Sequence, residues 1–435
     1  MKFRHFALAA VLILGTTGTA LARDNWIGAW GFVPTPLPPG MTPALPPSPV
    51  APLSADVGQG PATSPPSPIL IDNPGNVPLM APEADPANVT LRQLVRVAVA
   101  GKRIRLRFTN EGGSDVLVLG SVHVGAAGPD GSVLPGSDHV VTFDGHRGVS
   151  IPASAPLLSD PVEMPVTALE KLVITSYVPG SIMRGGHSVY QYVAGQPGDQ
   201  SAAPTLPDQR LMHIPSLVSQ VEVDADTAAN VVVTFGDSIT EGIASTNNAF
   251  RGWPDRLAER LAAKKSKWSV VNAGISGNRL LRYGTGPGAL ARLDRDVFGV
   301  PGVKMVILLE GINDIGHGFT TWGPQEPVTA EALIAADKQI IERAHAHGIK
   351  VIGATLTPYQ GAAYAAPAGE QVRQALNQWI LTGGAFDGTV DFAKAIADPA
   401  NPLTFRADYN LRDHLHPNDA GYQAMADAID LDLFK

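Results

Sequence analysis

Apolar runs alternate with helical segments from residue 230 to the C-terminus, and this alternation limits the possible fold more than any other feature of the sequence. The apolar runs predict five strands, at 231–235, 269–272, 304–309, 350–354 and, more briefly, near Val390. Apolar side chains at helical spacing predict helices at 253–265, 330–347 and 369–381, with a last helix after Pro417. Strands that alternate with helices in this way predict an α/β domain, from 226 to 435, with a parallel sheet covered on both faces.

A different pattern, with a period of two residues, precedes this domain. In Arg103-Ile104-Arg105-Leu106-Arg107-Phe108, charged and apolar residues alternate strictly, as they do in a half-buried strand. Further β-rich runs lie at 91–99, 116–119, 140–143 and 172–177. Residues 100–102 read as a hairpin-like connection between two of these runs. We therefore predict an antiparallel β-sandwich domain at 88–225, in which His187, after two glycines, is a turn or linker residue.

The N-terminus has the pattern of a signal peptide. Lys2, Arg4 and His5 precede an apolar run at 6–14, and small residues then lead to Ala20-Leu21-Ala22. We expect residues 1–22 to be removed after Ala22, which makes the mature protein secreted or periplasmic. The alternative is an uncleaved membrane anchor. No later segment offers the roughly 20 uninterrupted apolar residues that a membrane helix needs.

The segment from 23 to 87 is dominated by a proline-rich insertion. Residues 34–86 hold 17 of the 38 prolines of the chain, so this stretch is expected to be extended or irregular. Two interpretations stay open. The insertion is either a disordered spacer or a long segment that packs over a domain through Leu53, Ile69 and Leu70.

The composition excludes several classes of protein. The chain has no cysteine, which rules out disulfides and thiolate metal sites. A formal net charge of -8 argues against nucleic acid as a partner. The oligomeric state is not indicated by the sequence.

A candidate nucleophile follows the first strand of the α/β domain. The run 231–235 leads directly into Gly236-Asp237-Ser238, at the carboxyl end of a strand, where open α/β sheets bind ligands. A serine in such a turn is held rigidly beside backbone N–H groups that can face an anion. The same turn could instead only cap a helix.

A serine hydroxyl needs a base and an acidic partner for that base. Near the C-terminus, Asp413 and His416 stand three residues apart, just before the predicted last helix. This spacing allows both side chains to converge from one loop, with His416 as the base and Asp413 as the residue that orients it. His414 is a competitor, although its neighbouring position points its side chain elsewhere. Considered without the serine, an Asp and a His at this spacing often occur by chance.

Acyl transfer also needs hydrogen-bond donors for the oxyanion of its tetrahedral intermediate. Two turns offer candidates, since Gly277 follows the second strand and Asn313 follows the third. Gly277 could donate its backbone N–H and Asn313 its side-chain amide. Alternatively, the glycine only permits a tight turn, and Asn313 or Asp314 caps the next helix. The four motifs occur at strand ends that a parallel sheet gathers along one edge, which favours the catalytic interpretation.

With these four segments, the chain resembles the SGNH or GDSL serine hydrolases from about residue 230 to 435. The matching segments are GDSITEG, VVNAGISGN, GIND and DHLHPND. The resemblance implies a catalytic triad of Ser238, Asp413 and His416. It implies an oxyanion hole made by the N–H of Ser238, Gly277 and Asn313. It also implies a flavodoxin-like three-layer α/β/α fold. The acyl-serine mechanism expected of such a triad needs no cofactor or metal.

The upstream part is similar to a subset of this family that carries a β-sandwich before the hydrolase domain. The similar segments are Trp26-Ile27-Gly28-Ala29-Trp30, Leu91-Arg92-Gln93 and Phe108-Thr109-Asn110. These motifs are much less specific than the four in the hydrolase part. The proline-rich insertion departs from that subset.

We therefore expect a serine carboxylic ester hydrolase that forms an acyl-serine intermediate. A short acyl ester, such as an acetyl group on a carbohydrate or polysaccharide, is the expected substrate. The alternatives are a lipid or small-ester esterase, an acyltransferase, and a non-catalytic carbohydrate-binding protein. Trp322 and Tyr359 could stack on a sugar ring, although surface or packing roles fit each of them as well. His345 and His347 lie two apart on a helix and do not read as a metal site.

Overall fold

The computed structural model describes residues 24–35, 87–181, 187–225, 229–320 and 326–435. The predicted signal peptide at 1–22 lies outside the described residues, as does almost all of the proline-rich insertion. Within the described ranges, no helix is both long enough and apolar enough to span a membrane.

The first part of the chain is built of antiparallel sheets. Its strands are β1 (Trp26–Gly31), β2 (Ala87–Arg96), β3 (Arg103–Thr109), β4 (Leu117–Leu119), β5 (Ser121–Ala126), β6 (His139–Val141), β7 (Val149–Ile151), β8 (Pro156–Leu158), β9 (Lys171–Ser181), β10 (Ser188–Val193), β11 (Arg210–Pro215) and β12 (Val218–Asp224). A four-stranded sheet has the order β1-β12-β3-β8, and a six-stranded sheet has the order β11-β10-β2-β9-β5-β6. The predicted β-sandwich is confirmed.

The predicted hairpin at 100–102 is wrong, because the two strands that it joins belong to different sheets. β2 pairs with β9 and β10, whereas β3 pairs with β12 and β8. Gly101 instead forms a bridge with Val166, and its backbone runs so close to β12 that a Cβ there would lie 2.3 Å from Val223 Cγ1. The connection therefore carries the chain from one layer of the sandwich to the other.

The second part alternates strands and helices, as predicted. Its elements are β13 (Asn230–Gly236), α1 (Ser238–Glu241), α2 (Trp253–Ala263), β14 (Trp268–Gly274), α3 (Ala289–Leu293), β15 (Val303–Leu309), α4 (Ile312–Gly318), α5 (Ala330–Ala346), β16 (Lys350–Ala354), α6 (Pro367–Thr382), β17 (Gly388–Val390), α7 (Phe392–Ile396), β18 (Ala397–Asp398), β19 (Asn401–Phe405) and α8 (Asp419–Asp427). β13 to β17 form a parallel sheet of order β14-β13-β15-β16-β17, which confirms the predicted fold class.

Strand β1 joins the two parts of the molecule. It pairs with β12 of the sandwich, and its other side lies against β14 of the parallel sheet. Gly28 donates its N–H to Pro301 O at 2.9 Å and accepts a bond from Ser269 Oγ at 2.7 Å. At Gly31, an added Cβ would lie 2.4 Å from Val271 Cγ1. The two glycines therefore allow β1 to pack closely on the side chains of Ser269 and Val271.

Ionic contacts reinforce this junction at a second place. Arg96, at the end of β2, lies 2.6 Å from Glu259 and 3.4 Å from Asp255 on α2. The guanidinium also lies over the ring of Phe250, which precedes α2. The sandwich thus contacts the α/β part through both a strand and a buried arginine.

The end of β14 packs tightly on the short helix α1. A Cβ at Gly274 would lie 2.2 Å from the backbone N of Glu241, which no side-chain movement can relieve. Because α1 begins at Ser238, this close approach fixes the candidate nucleophile relative to the second strand. Only glycine fits at position 274, because there is no room for a Cβ atom.

We expect Gly274→Ala to lower the free energy of unfolding by about 1–3 kcal/mol, because α1 and β14 must separate to admit the methyl group. Urea denaturation followed by circular dichroism measures this change. Gly180→Ala is the matched control, since an added Cβ there meets nothing within 4 Å, and its effect should stay within about 0.5 kcal/mol. Equal effects of the two substitutions would contradict the proposed packing.

Candidate active site

Ser238 stands where the backbone turns sharply from β13 into α1. Asp237 caps the helix by accepting a hydrogen bond from the N–H of Ile239 at 2.9 Å, and Gly242 ends it in the left-handed region. Ser238 is 5% exposed. The strand, the cap and the helix therefore hold the hydroxyl at the carboxyl edge of the sheet, in the position expected from the sequence.

His416 reaches this serine from the loop before α8. Its Nε2 lies 2.8 Å from Ser238 Oγ, and its Nδ1 lies 2.6 Å from Asp413 Oδ2. The other carboxylate oxygen of Asp413 accepts the backbone N–H groups of Leu415 and His416, at 3.0 and 2.9 Å. The carboxylate is therefore fixed by its own loop, and it in turn orients the imidazole.

The environment of Asp413 keeps its carboxyl group ionised. Burial by itself raises the pKa of Asp413, but the hydrogen bond and charge of His416, with the two backbone N–H groups, hold it below its ordinary value. A carboxylate in this state prefers the Nδ1–H tautomer of the ring. That tautomer leaves Nε2 free to accept the serine proton.

His414, the competing histidine, faces a different part of the loop. Its backbone has a φ of +58°, and its Nδ1 accepts a bond from Asn410 Nδ2 at 2.9 Å. The ring packs on the backbone of Gly361, where an added Cβ would lie 2.9 Å from His414 Cγ. The structure thus brings His416, and not His414, to Ser238.

The two candidate oxyanion donors lie on neighbouring loops that contact each other. Gly277 adopts a φ of +75°, which a side chain would strain, and Asn313 donates from Nδ2 to the backbone O of Asn278 at 2.8 Å. The oxygen of the same amide accepts a bond from Tyr364 at 3.3 Å. This pair of contacts fixes which end of the Asn313 amide carries the N–H groups. The loop after β14 and the start of α4 are thereby held as one unit.

Two acidic side chains hold the loop that carries Gly277. Asp314 accepts the N–H groups of Leu280 and Leu281, at 2.6 and 3.0 Å, and Glu241 accepts the N–H of Ser276 at 2.6 Å. Burial raises the pKa of Asp314, while these backbone bonds act in the opposite direction. The loop is therefore held by hydrogen bonds to α1 on one side and to α4 on the other.

A fully buried arginine lies beneath these loops. Arg292 donates to Gly236 O at 2.9 Å, to Ala273 O at 2.8 Å and to Asn278 Oδ1 at 2.9 Å. It also pairs with Asp296 at 3.2 Å, and its guanidinium stacks over the ring of Phe235. The carboxyl ends of the first two strands are thus joined by one side chain.

Two buried carboxyl groups lie near this arginine. Burial raises the pKa of Asp237 to about 7, although Arg292 and His416 lower it in part. Burial and the neighbouring Asp237 raise the pKa of Glu310 well above its ordinary value, and Glu310 lies 3.7 Å from Arg292. Water is excluded from both groups, so the protonated forms are favoured.

The remaining residues singled out in the sequence lie elsewhere. Tyr359 is 1% exposed, so it packs in the core and offers no face to a sugar, while Trp322 lies outside the described residues. His345 pairs with Asp387, and His347 packs on Phe298. In the described ranges, no three His, Asp or Glu side chains converge as metal ligands would.

Sequence reasoning missed four residues that build the site, namely Glu241, Arg292, Asn278 and Tyr364. Arg292 carried a signal, since it stands in the otherwise apolar run Ala289–Leu293. Tyr364 carried none. Glu241 lies within the GDSITEG segment, but its role depends on loops that meet only in the folded chain. His187 does lie in a connecting segment, as expected, but its ring is buried against Glu241.

A family model of known proteins matches the part of the chain that forms this site. Residues 234–424 match the GDSL-like Lipase/Acylhydrolase family. The match begins inside β13, includes Ser238 and extends through Asp413 and His416 to α8. No curated protein matches the chain.

Several solved structures are similar to this part of the chain. A putative lipolytic protein of the G-D-S-L family from Desulfitobacterium hafniense DCB-2 is 23% identical, with 46% of this chain and 97% of that chain covered, at a TM-score of 0.35. The acetyl xylan esterase AlAXEase is 22% identical, with 46% and 96% covered, at 0.34. The aryl esterase of M. smegmatis is 17% identical, with 46% and 96% covered, at 0.35. Each likeness spans less than half of this chain.

The raised pKa of Asp237 predicts how stability depends on pH. At pH values well below the ordinary pKa of 3.8, the carboxyl is protonated in both states, and the stability that the raised pKa confers is fully present. As the pH rises towards about 7, the unfolded chain releases this proton first, so that stability is lost. The free energy of unfolding of Asp237→Asn, taken relative to that of the wild type, should therefore rise by on the order of a few kcal/mol between about pH 4 and 7.

Urea denaturation of both proteins across this pH range measures the difference. The asparagine can change the absolute stability through its amide, so the informative quantity is the slope of the difference with pH. A difference that stays constant from pH 4 to 7 would show that Asp237 is ionised in the native state throughout.

Proposed function

Because residues 234–424 match the GDSL-like Lipase/Acylhydrolase family, we propose that the chain is a serine ester hydrolase with Ser238 as nucleophile. His416 is the general base, and Asp413 orients it. The backbone N–H groups of Ser238 and Gly277, with the amide of Asn313, form the oxyanion hole. These roles are proposed for the residues that the four sequence motifs single out.

In the first half of the reaction, Ser238 Oγ attacks the carbonyl carbon of the ester while His416 Nε2 takes the hydroxyl proton. The carbonyl oxygen becomes an oxyanion that the three donors stabilise. When the bond to the alcohol oxygen breaks, His416 returns its proton to that oxygen, and the acyl group remains on Ser238. Water, deprotonated by His416, then attacks the acyl carbon. The bond to Ser238 Oγ breaks, His416 gives its proton to Oγ, and the acid is released.

The observation that carries this proposal is the continuous chain of short contacts from Asp413 through His416 to Ser238. The two distances, 2.6 and 2.8 Å, are both within hydrogen-bond range. The ring has one nitrogen on a carboxylate whose pKa is held low and the other on a hydroxyl. This is the arrangement that proton transfer from serine requires.

We further propose that the substrate carries a short acyl group, such as an acetyl group on a carbohydrate. Two features of the sequence support this. The pattern of residues 1–22 indicates export, and a β-sandwich accompanies the hydrolase part. A lipid or small soluble ester is the competing substrate class. An ester panel that varies the acyl length and the alcohol separates these classes, and acetylated xylan against a long-chain glyceride is its most informative pair.

Ser238→Ala should lower turnover of p-nitrophenyl acetate by about 10⁴-fold or more while the thermal midpoint stays nearly unchanged, because the nucleophile is lost and little packing is removed. His416→Ala should also abolish turnover, whereas His414→Ala, the matched control, should largely spare it. A fluorophosphonate should label the wild type only at Ser238. Turnover that persists in Ser238→Ala across several esters would refute the assignment.

Asn313→Ala should lower kcat by roughly 10²–10³-fold with little change in KM, since its amide meets the oxyanion chiefly in the transition state. Tyr364→Phe keeps this amide but removes the hydroxyl that donates a hydrogen bond to the amide oxygen of Asn313. We expect a smaller loss, about tenfold in kcat, in that variant. Steady-state kinetics with one aryl ester measures both, and a selective rise in KM for Asn313→Ala would mark it as a substrate-binding residue instead.

A further inference from the structure

One residue of the β-sandwich part reaches the neighbourhood of the candidate nucleophile. His187, directly before β10, is 8% exposed. Its Nε2 lies 2.9 Å from Oε2 of Glu241, the last residue of α1, which begins at Ser238. The proposed ester hydrolysis assigns no role to either side chain.

The imidazole of His187 is held from its other side by the segment after β1. Nδ1 lies 3.1 Å from Val33 O, and the ring stacks on Phe32 with the centroids 4.4 Å apart. A carbonyl oxygen can only accept, so Nδ1 donates to it. The two ring nitrogens are therefore each within 3.1 Å of an oxygen atom, one on the segment after β1 and one on α1.

Glu241 also binds the loop that carries Gly277, a proposed oxyanion donor. The same oxygen, Oε2, accepts the backbone N–H of Ser276 at 2.6 Å, and Ser276 directly precedes Gly277. The side chains of His187 and Glu241 are only 6% and 14% exposed, so little water can replace either partner. The position of the Gly277 N–H thus depends on a carboxylate whose second partner comes from the sandwich.

A neighbouring contact links the same strand to the segment that follows α1. Tyr190 on β10 lies next to the side chain of Asn247. That segment is itself fixed to α8, since Asp419 accepts the N–H and the hydroxyl of Thr246, both at 2.8 Å. Residues 187–190 therefore contact α1 at its end and the chain just beyond it.

We propose that His187 is a positioning residue through which the β-sandwich part sets the geometry of the oxyanion hole. It holds the Glu241 carboxylate in the place where that group binds the Ser276 N–H, and so it fixes Gly277 relative to Ser238. The inference rests on the proposed ester hydrolysis and assigns a role to the sandwich beyond substrate binding. His187 does not contact the reacting atoms, and its effect passes through Glu241.

Two substitutions at this position separate the contact with Glu241 from the rest of the ring. His187→Asn places an amide nitrogen near the Nδ1 position and keeps the bond to Val33 O, but it cannot reach Glu241. His187→Gln extends an amide nitrogen to the Nε2 position and can donate to the carboxylate. Arg96→Met serves as a further control, because it removes other ionic contacts across the same junction.

The experiment uses the full chain, p-nitrophenyl acetate as substrate and a simple alkyl boronic acid as a tetrahedral analogue. His187→Asn should lower kcat by about tenfold to a hundredfold, with KM within about threefold, because displaced donors act mainly on the transition state. Its affinity for the boronic acid should fall by about the same factor as kcat/KM. His187→Gln should recover kcat to within about fivefold of the wild type, and Arg96→Met should leave kcat near the wild-type value.

Three results would overturn this inference. One is an unchanged kcat in His187→Asn, and another is an equal loss in His187→Gln and His187→Asn. The third is an equal loss in Arg96→Met, which would attribute the effect to general loosening of the junction. In addition, Glu241→Gln combined with His187→Asn should lose less than the product of the single effects, since both act through one contact. Failure of the wild type to hydrolyse any ester would instead refute the proposed function itself.

Discussion

The arrangement of the site depends on the hydrogen bonds that the buried guanidinium of Arg292 donates. Parallel strands leave their last carbonyl groups at the carboxyl edge of the sheet, and the loops that follow must supply donors for them. Arg292 provides such donors for Gly236 and Ala273 together, and a third for the side chain of Asn278. A planar fork with five donors can serve all of these acceptors at once, whereas a lysine cannot. The ends of β13 and β14 are thereby fixed to each other.

The cost of burying this charge explains why acidic groups collect around it. A guanidinium that has no access to water must be paired, and Asp296 supplies the pairing at 3.2 Å while Glu310 lies at 3.7 Å. Asp296 is shared with Arg295, which lies 2.5 Å from it. These groups all belong to the α/β part, and removing Asp296 would leave the buried guanidinium without its ion-pair partner.

The sequence predicted the fold class because the controlling signals are local. Each of the five strands of the parallel sheet is an apolar run. The observed bounds differ from the predictions by at most two residues at either end, as at Asn230–Gly236 for 231–235. The prediction failed at 100–102 because a short connection with glycine fits a hairpin and a crossing between sheets equally well. Only the pairing of Gly101 with Val166, far away in the sequence, decides between them.

The site was predictable to the extent that its residues follow strand ends. Ser238, Gly277 and Asn313 could be assigned to one edge of the sheet from their place after apolar runs, and Asp413 and His416 from their spacing. The residues that hold them were not predictable in this way. His187 and Glu241 are 54 residues apart and in different sheets or layers, so no period or spacing connects them. Contacts between segments so far apart in the chain carry no local signal.

The charged groups beneath the loops that carry Gly277 and Asn313 favour the chemistry proposed for these two residues. A negative charge that develops near Ser238 and Gly277 is stabilised by a nearby guanidinium and opposed by nearby carboxylates, more strongly than in water because the region is dry. Arg292 lies directly below these loops, while burial raises the pKa of Asp237 and of Glu310 and so favours their uncharged forms. The carboxyl groups that could cancel the guanidinium thus keep their protons more readily than they would in water. When Asp237 and Glu310 are protonated, the charge of the Arg292 guanidinium is opposed mainly by its ion-pair partner Asp296.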